Sequence, residues 1–194
     1  LNYLNITRYA EQTPLAKWIK SGILYKSKYV NSHTSDVLRY LSLWKYGGTY
    51  LDLDVVMLKS LDDQNPKNYA GAESKNFVAV GIINLEGETG HAIADMCVKD
   101  LLQNFDGSDW GNNGPGVITR TLKKICGTTK VMEMIALDVC KDFRVLPIDK
   151  CYSIRWVEHA KFFKPEFLNE TLERLSNSLI AHVWNKFSST TPLT

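Results

Sequence analysis

The chain has 194 residues, 44% of them hydrophobic and 23% charged, with a formal net charge of +2. This length fits one domain with a sizeable core, and the composition is ordinary for a soluble globular protein. The small net charge and the scattered Lys26, Lys28, Lys123 and Lys124 exclude the basic stripe of a nucleic-acid binder. The best apolar run, Phe77 to Ile83, is far shorter than the roughly 18 residues of a membrane span. The chain starts at Leu with no signal peptide, so it reads as an excised fragment of a longer parent.

In chain order, residues 2–6 read as a short strand. Thr13-Pro14 opens a helix running to about Gly22, with Pro in its favoured first position. A second helix spans 35–46, with Ser35 or Asp36 capping its start by accepting a free backbone N–H. Its Val37, Leu41 and Trp44 recur at helical spacing and belong to the core. Gly47-Gly48 supplies the left-handed geometry that stops it. Tyr50-Leu51 enters a central strand, and 55–58 is extended. Phe77 to Ile83 is a buried strand, His91 to Phe105 a helix, and Gly114-Pro115 opens another that ends at Cys126-Gly127. Strands over 143–148 and 179–183 bracket helices over 156–163 and 170–175. Strands alternating with helices predict an α/β layered domain.

The sequence from Ser35 to Asp54 carries the sharpest chemical signal. A helix bearing Asp36 and Arg39 one turn apart leads through Gly47-Gly48 into Tyr50-Leu51 and then Asp52-Leu53-Asp54. Two Asp at i and i+2 point the same way from an extended backbone. They sit where the strand ends, the usual place for ligands in α/β sheets. Two hard oxygen ligands side by side suit Mg²⁺ or Mn²⁺. An isolated Asp-x-Asp is more often a solvated loop start, and Asp36–Arg39 alone is a local ion pair worth a few tenths of a kcal/mol. Their combination changes the reading.

Other candidates each have a plain structural alternative. Ile180-Ala181-His182-Val183-Trp184-Asn185 offers His182 as a third metal ligand or diphosphate contact, against a structural histidine held by one hydrogen bond. Trp184 either caps the site or is core. Trp110-Gly111-Asn112-Asn113-Gly114-Pro115-Gly116 is either a turn with Pro at N1 or a sugar-recognition loop whose amides donate and accept. Asn84 is a site candidate or a turn residue. Glu73 and Glu86 have no spacing that supports a paired-carboxylate glycosidase.

Cys97, Cys126, Cys140 and Cys151 show no zinc spacing. Four cysteines allow three pairings, and the sequence does not choose among them. Cys126–Cys140, flanking one loop, is the preferred bridge against four buried thiols. Asn5-Ile6-Thr7 and Asn169-Glu170-Thr171 match the N-glycosylation pattern of a secretory compartment.

The helix, glycine stop and acidic pair resemble the Asp-x-Asp block of nucleotide-sugar-dependent transferases of the GT-A type. Trp110–Cys126, Cys140–Trp156 and the His-Val-Trp-Asn-Lys run at 182–186 make the chain similar to the α1,4-glycosyltransferases. The resemblance covers nearly the whole chain and implies a GT-A-like α/β domain, a mixed sheet flanked by helices. The family's additional early strands, which help to hold the nucleotide base, are absent, so residues 1–194 form a partial domain. It implies a retaining, Mn²⁺- or Mg²⁺-dependent hexosyltransferase, with Asp52, Asp54 and His182 on the metal. Asp36, Arg39, Tyr50, Asp52, Asp54, Asn84 and Trp184 would bind the donor, and Asn113 would line the reaction centre as the catalytic candidate. A hexose or N-acetylhexosamine would pass from a UDP-sugar to a galactose-type acceptor on a glycolipid or glycan, forming an α1,4 linkage. With no obvious nucleophile, a front-face transfer is implied. The parent would be anchored in a Golgi membrane outside this segment. A different donor such as GDP-mannose, or a non-catalytic sugar- or nucleotide-binding module, are the alternatives.

Overall fold

The computed structural model describes residues 4–189. Residues 2–3 of the first expected strand lie outside it. The rest of that segment is helical: Asn5 caps α1 (Ile6–Tyr9) by accepting the Arg8 N–H at 3.1 Å. The Thr13-Pro14 helix begins later than expected, as α2 (Ala16–Lys20), and a 3₁₀ turn follows at Ile23–Lys26. The long α3 (Val30–Tyr46) starts five residues before the expected Ser35. Ser35 and Asp36 therefore lie mid-helix and cap nothing. The start is tied down by Ser27, whose Oγ accepts the Tyr29 N–H at 2.8 Å and contacts His33 Nδ1 at 2.7 Å.

Gly47 and Gly48 both have positive φ, +63° and +84°, and turn α3 into β1 (Gly48–Leu51). A Cβ on Gly47 would also meet the Leu85 carbonyl oxygen at 2.9 Å. Beyond β1 come β2 (Val55–Met57), β3 (Tyr69–Ala72), β4 (Val78–Leu85) and α4 (Gly87–Asn104). Pro115 stands at the N-terminus of α5 (Pro115–Cys126), and Gly127 ends it in the left-handed conformation, as the sequence predicts. The remaining elements are α6 (Val131–Ala136), β5 (Arg144–Leu146), α7 (Ile148–Cys151), 3₁₀ turns at Trp156–Phe162 and Pro165–Phe167, α8 (Leu168–Leu175), β6 (Ile180–His182) and α9 (Asn185–Ser188). No helix among the described residues is long and apolar enough to cross a membrane.

The main sheet is mixed, in the order β1-β4-β3-β5, with only β3 and β5 parallel. The strand carrying the acids is therefore at the sheet edge, where the sequence reading placed it centrally. The chain can leave β1 freely there and start a second, two-stranded sheet, β2 against β6. Helices α3, α4 and α5 cover one face of the main sheet through Val37, Leu41, Ile93, Val98, Val117 and Ile118, all fully or almost fully buried. A smaller cluster around Tyr69, Ile82, Tyr152 and Ile180 covers the other. Along β4, residues 78, 80, 83 and 85 face the helices, while 79 and 82 face the smaller cluster. The alternation slips where the β3 pairing shifts register between Ala70 and Ala72.

Cys126 and Cys140 are bridged, joining the end of α5 to the segment before β5, and Cys97 and Cys151 are buried free thiols. Asn5 and Asn169 of the two glycosylation patterns are both exposed.

Candidate active site

The site forms where β1 leaves the main sheet. Asp52 directly follows β1, and its N–H donates to the Gly81 carbonyl at 3.0 Å. Three residues on, β2 begins and pairs with β6, with Val55 opposite His182. The Val183 N–H donates to the Asp54 carbonyl at 2.9 Å, extending that pairing. This small sheet brings His182, near the far end of the chain, to the two acids. His182 Nε2 lies 3.4 Å from Asp54 Oδ1 and 3.7 Å from Asp52 Oδ2.

Each carboxylate has one oxygen anchored and the other turned toward the histidine. Asp52 Oδ1 accepts from the Tyr50 hydroxyl at 2.7 Å and from Arg39 Nη2 at 3.1 Å. Asp54 Oδ2 accepts the Asn185 N–H at 2.8 Å. On His182, Nδ1 faces the Trp184 N–H at 3.3 Å, so Nε2 points to the acids. The Trp184 ring lies against the imidazole with centroids 4.3 Å apart. Trp184 adopts positive φ, +57°, and is held there by its indole N–H, which donates to the Ile154 carbonyl at 2.8 Å. Such outer contacts orient metal ligands.

Arg39 is 4% exposed and links Asp36 to Asp52, with its guanidinium 4.6 Å from the centre of the Tyr50 ring. Both its amino groups are thus engaged inside the protein, and it acts on the site through Asp52. Burial alone would lower its pKa, but the Asp36 and Asp52 carboxylates raise it. Burial also raises the Asp52 carboxyl, but His182, Arg39 and Tyr50 outweigh that and hold it at about 2. Asp52 is therefore an anion throughout the neutral range.

Two adjoining cavities meet at the acids. The larger, about 860 Å³, is walled by Ser32, Ser35, Asp36 and Arg39 of α3, with Tyr50 and Asn185. The smaller, about 430 Å³, is walled by Glu73, Tyr152, Trp156, Trp184 and Phe187. Asp52, Asp54, Trp110, Pro115 and Lys186 line both. Lys186 Nζ stands 3.9 Å above the Trp110 ring at their common border.

Of the residues singled out from sequence, Asp36, Arg39, Tyr50, Asp52, Asp54, His182 and Trp184 come together here. Two do not. Asn84 is 2% exposed, accepts from the Thr49 hydroxyl at 2.7 Å and donates to Glu86 at 3.0 Å. It pairs across from Thr49, toward the end of β1 away from Asp52. Asn113 is fully buried; it accepts the Asp106 N–H at 2.9 Å and donates to the Asp106 carbonyl at 2.7 Å. Its amide pins the loop that presents Trp110 and Pro115, and it lines neither cavity. Asn84 is a buried residue of β4 rather than of a turn, and Asn113 belongs to the turn before α5.

Sequence reasoning missed Ser32 and Ser35, although they share the α3 face of Asp36 and Arg39 at helical spacing. It set Glu73 aside for want of spacing, yet this carboxyl lines the smaller cavity, and burial raises its pKa against the opposing effect of His182. Tyr152, Trp156 and Phe187 carried no local signal, because separate 3₁₀ and helical turns assemble them.

Residues 86–194, more than half of the chain, match the family described as the alpha 1,4-glycosyltransferase conserved region. The chain belongs to the α1,4-glycosyltransferase family. Residues 2–71 match the glycosyltransferase sugar-binding region containing the DXD motif, here Asp52-Leu53-Asp54. Lactosylceramide 4-alpha-galactosyltransferase of Rattus norvegicus is 34% identical over 190 residues, which are 98% of this chain and 51% of that protein. The Pongo pygmaeus protein of the same name is 34% identical over 189 residues, 97% of this chain and 83% of that one. Alpha-1,4-N-acetylglucosaminyltransferase of Homo sapiens is 25% identical over 182 residues, 94% of this chain and 51% of that protein. The chain thus spans about half the length of the rat and human relatives. No solved structure matches it.

For this α1,4-glycosyltransferase chain the donor set fits a divalent cation. Two carboxylate oxygens and one imidazole nitrogen lie within 4.8 Å of one another. That mixture of hard oxygen and imidazole nitrogen is a donor set divalent cations accept.

Proposed function

We propose that the chain is the catalytic part of a retaining, metal-dependent α1,4-glycosyltransferase. It moves a hexose or N-acetylhexosamine from a UDP-sugar to a galactose-type sugar on a glycolipid or glycan. The observation that carries this reading is the cluster of Asp52, Asp54 and His182 at the junction of two cavities. A transfer between two substrates needs two binding volumes that meet at the reacting bond. The relatives named as galactosyl- and N-acetylglucosaminyltransferases support the same class.

Asp52, Asp54 and His182 would hold the cation, which would neutralise charge developing on the leaving diphosphate. The donor occupies the larger cavity. Asp36, against the α3 wall, accepts hydrogen bonds from donor-sugar hydroxyls. Arg39 and Tyr50 fix the Asp52 carboxylate by one oxygen, which leaves the other turned toward His182 and free to serve as a ligand. Trp184 holds the His182 ring in its orientation. Lys186 is the cation in the cleft wall best placed to meet diphosphate oxygens by leaving the Trp110 face. Fixing donor and acceptor against each other supplies much of the rate. The parent works in the Golgi lumen, an assignment supported by the Cys126–Cys140 bridge and the two exposed glycosylation patterns.

A donor screen on the full-length parent with Mn²⁺ tests the reading, using UDP-galactose, UDP-N-acetylgalactosamine, UDP-N-acetylglucosamine and GDP-mannose with lactose as acceptor. The expected result is transfer from one UDP-sugar, abolished by chelation. Turnover of GDP-mannose alone, or of no donor, would overturn it.

A further inference from the structure

The smaller cavity has a chemistry of its own. Trp156 and Phe187 are stacked, with ring centroids 5.0 Å apart and planes inclined by 29°, yet they stay 46% and 36% exposed. Aromatic faces left open to a cavity are unusual unless something covers them. The Tyr152 hydroxyl is buried and has no hydrogen-bond partner among the described residues. A buried unpaired hydroxyl is costly, so a ligand group that reaches it is favoured. Glu73 adds a carboxyl on the same wall. The volume, about 430 Å³, falls within the range of roughly 300–1,000 Å³ typical of small-ligand sites.

These groups match one ligand class. A hexopyranose presents C–H bonds on its face and hydroxyls on its rim. Polarised C–H bonds are attracted to the negative face of an aromatic ring. The rim hydroxyls both donate and accept, which suits a carboxyl and a phenol. The cavity also ends at Asp52 and Asp54, beside the donor volume.

We infer that the smaller cavity is the subsite for the terminal hexopyranose of the acceptor, with Trp156 and Phe187 covering its C–H face and Glu73 and Tyr152 holding its rim hydroxyls. This inference rests on the transferase reading and names the residues that select its second substrate. Glu73 is a positioning and specificity residue here: it sets which hydroxyl of the acceptor faces the donor.

The test uses Glu73→Gln and Trp156→Leu in the full-length parent. Glu73→Gln keeps the side-chain shape, and Trp156 is exposed enough for its loss to spare the fold, which circular dichroism verifies. The expected result is a KM for lactose raised about tenfold or more, a change of about 1.4 kcal/mol. The KM for the donor and the rate of donor hydrolysis by water stay within about twofold of wild type on the same scale. Unchanged lactose KM in both variants would overturn the inference.

A binding arm is independent of turnover. Saturation-transfer NMR with methyl β-D-galactopyranoside reads contact of the sugar with the protein. Wild type gives a signal that survives saturating UDP, and Trp156→Leu loses it. No signal in wild type, or a signal that UDP abolishes, contradicts the subsite. Failure of every donor to turn over, with galactoside binding intact, would instead remove the transferase reading.

Discussion

Asp54 and His182 stand 3.4 Å apart because β2 and β6 pair, not because either residue is near the other in the chain. The pairing places Val55 opposite His182, and one further hydrogen bond, from Val183 N–H to the Asp54 carbonyl, fixes the acid beside the histidine. The Asp52, Asp54 and His182 cluster is thus a product of the small second sheet. The main sheet supplies only the strand that delivers Asp52.

Gly81 follows from the same geometry. A Cβ at this position would meet His182 Cδ2 and the Tyr152 hydroxyl, each at 2.8 Å. Gly81→Ala is expected to push the imidazole away from the acids and to cost about 1–3 kcal/mol of stability by overpacking. Denaturant unfolding and a Mn²⁺ affinity measurement together check this. A folded variant with wild-type Mn²⁺ affinity would show that His182 does not ligate.

Arg39 is predicted to act as a brace for Asp52. Lysine cannot span Asp36 and Asp52 as the planar guanidinium does. Arg39→Lys should therefore lower kcat by about tenfold or more, since a 1.36 kcal/mol loss of transition-state stabilisation is enough. Removing the charge, as in Arg39→Ala, leaves the buried Asp36 carboxylate without its partner and should cost about 3–5 kcal/mol of stability. Steady-state kinetics on the first variant and urea unfolding on the second separate positioning from folding.

The Pro115–Cys126 helix was readable to the residue because Pro at its start and Gly127 after its end are local signals. So was the glycine turn at 47–48, whose positive φ no other residue tolerates cheaply. The start of α3 was not readable, because it depends on Ser27 reaching a buried His33 rather than on a cap within the helix. The strand Tyr69–Ala72 was missed because Tyr-Ala-Gly-Ala is small and weakly strand-forming; its neighbours β4 and β5 hold it extended. The acids were legible as a pair from their i, i+2 spacing. Their anchors were not, because Asn185 and Arg39 reach them across the fold. The placement of Asn84 and Asn113 away from both cavities was not legible, because an amide that recognises a sugar looks, in sequence, like one that satisfies buried backbone groups.

A pH effect is expected beside the smaller cavity. Hydrogen bonds from Arg174 hold the Glu158 carboxyl at about 2, against an ordinary value of 4.5, with burial opposing them. Its folded pKa lies below its unfolded one, so its contribution is complete above pH 4.5 and is lost as pH falls toward 2. Glu158→Gln should be less stable than wild type at pH 7, and the difference should close across that window. Urea midpoints of the two proteins measured between pH 7 and pH 2 check it. A constant difference would place the effect in packing rather than charge.

Asp52, Asp54 and His182 are proposed to hold one divalent cation. Titration of Mn²⁺ into the full-length protein and into Asp54→Asn, followed by the electron paramagnetic resonance signal of free Mn²⁺, tests it most directly. A neutral amide binds a hard cation poorly, and Asp54 lies in the partly exposed turn between β1 and β2, outside the core, so circular dichroism should show an intact fold. One site is expected in the wild type, with a loss of Mn²⁺ affinity of about a hundredfold, roughly 2.7 kcal/mol, in the variant. Equal affinity in two folded proteins would contradict it.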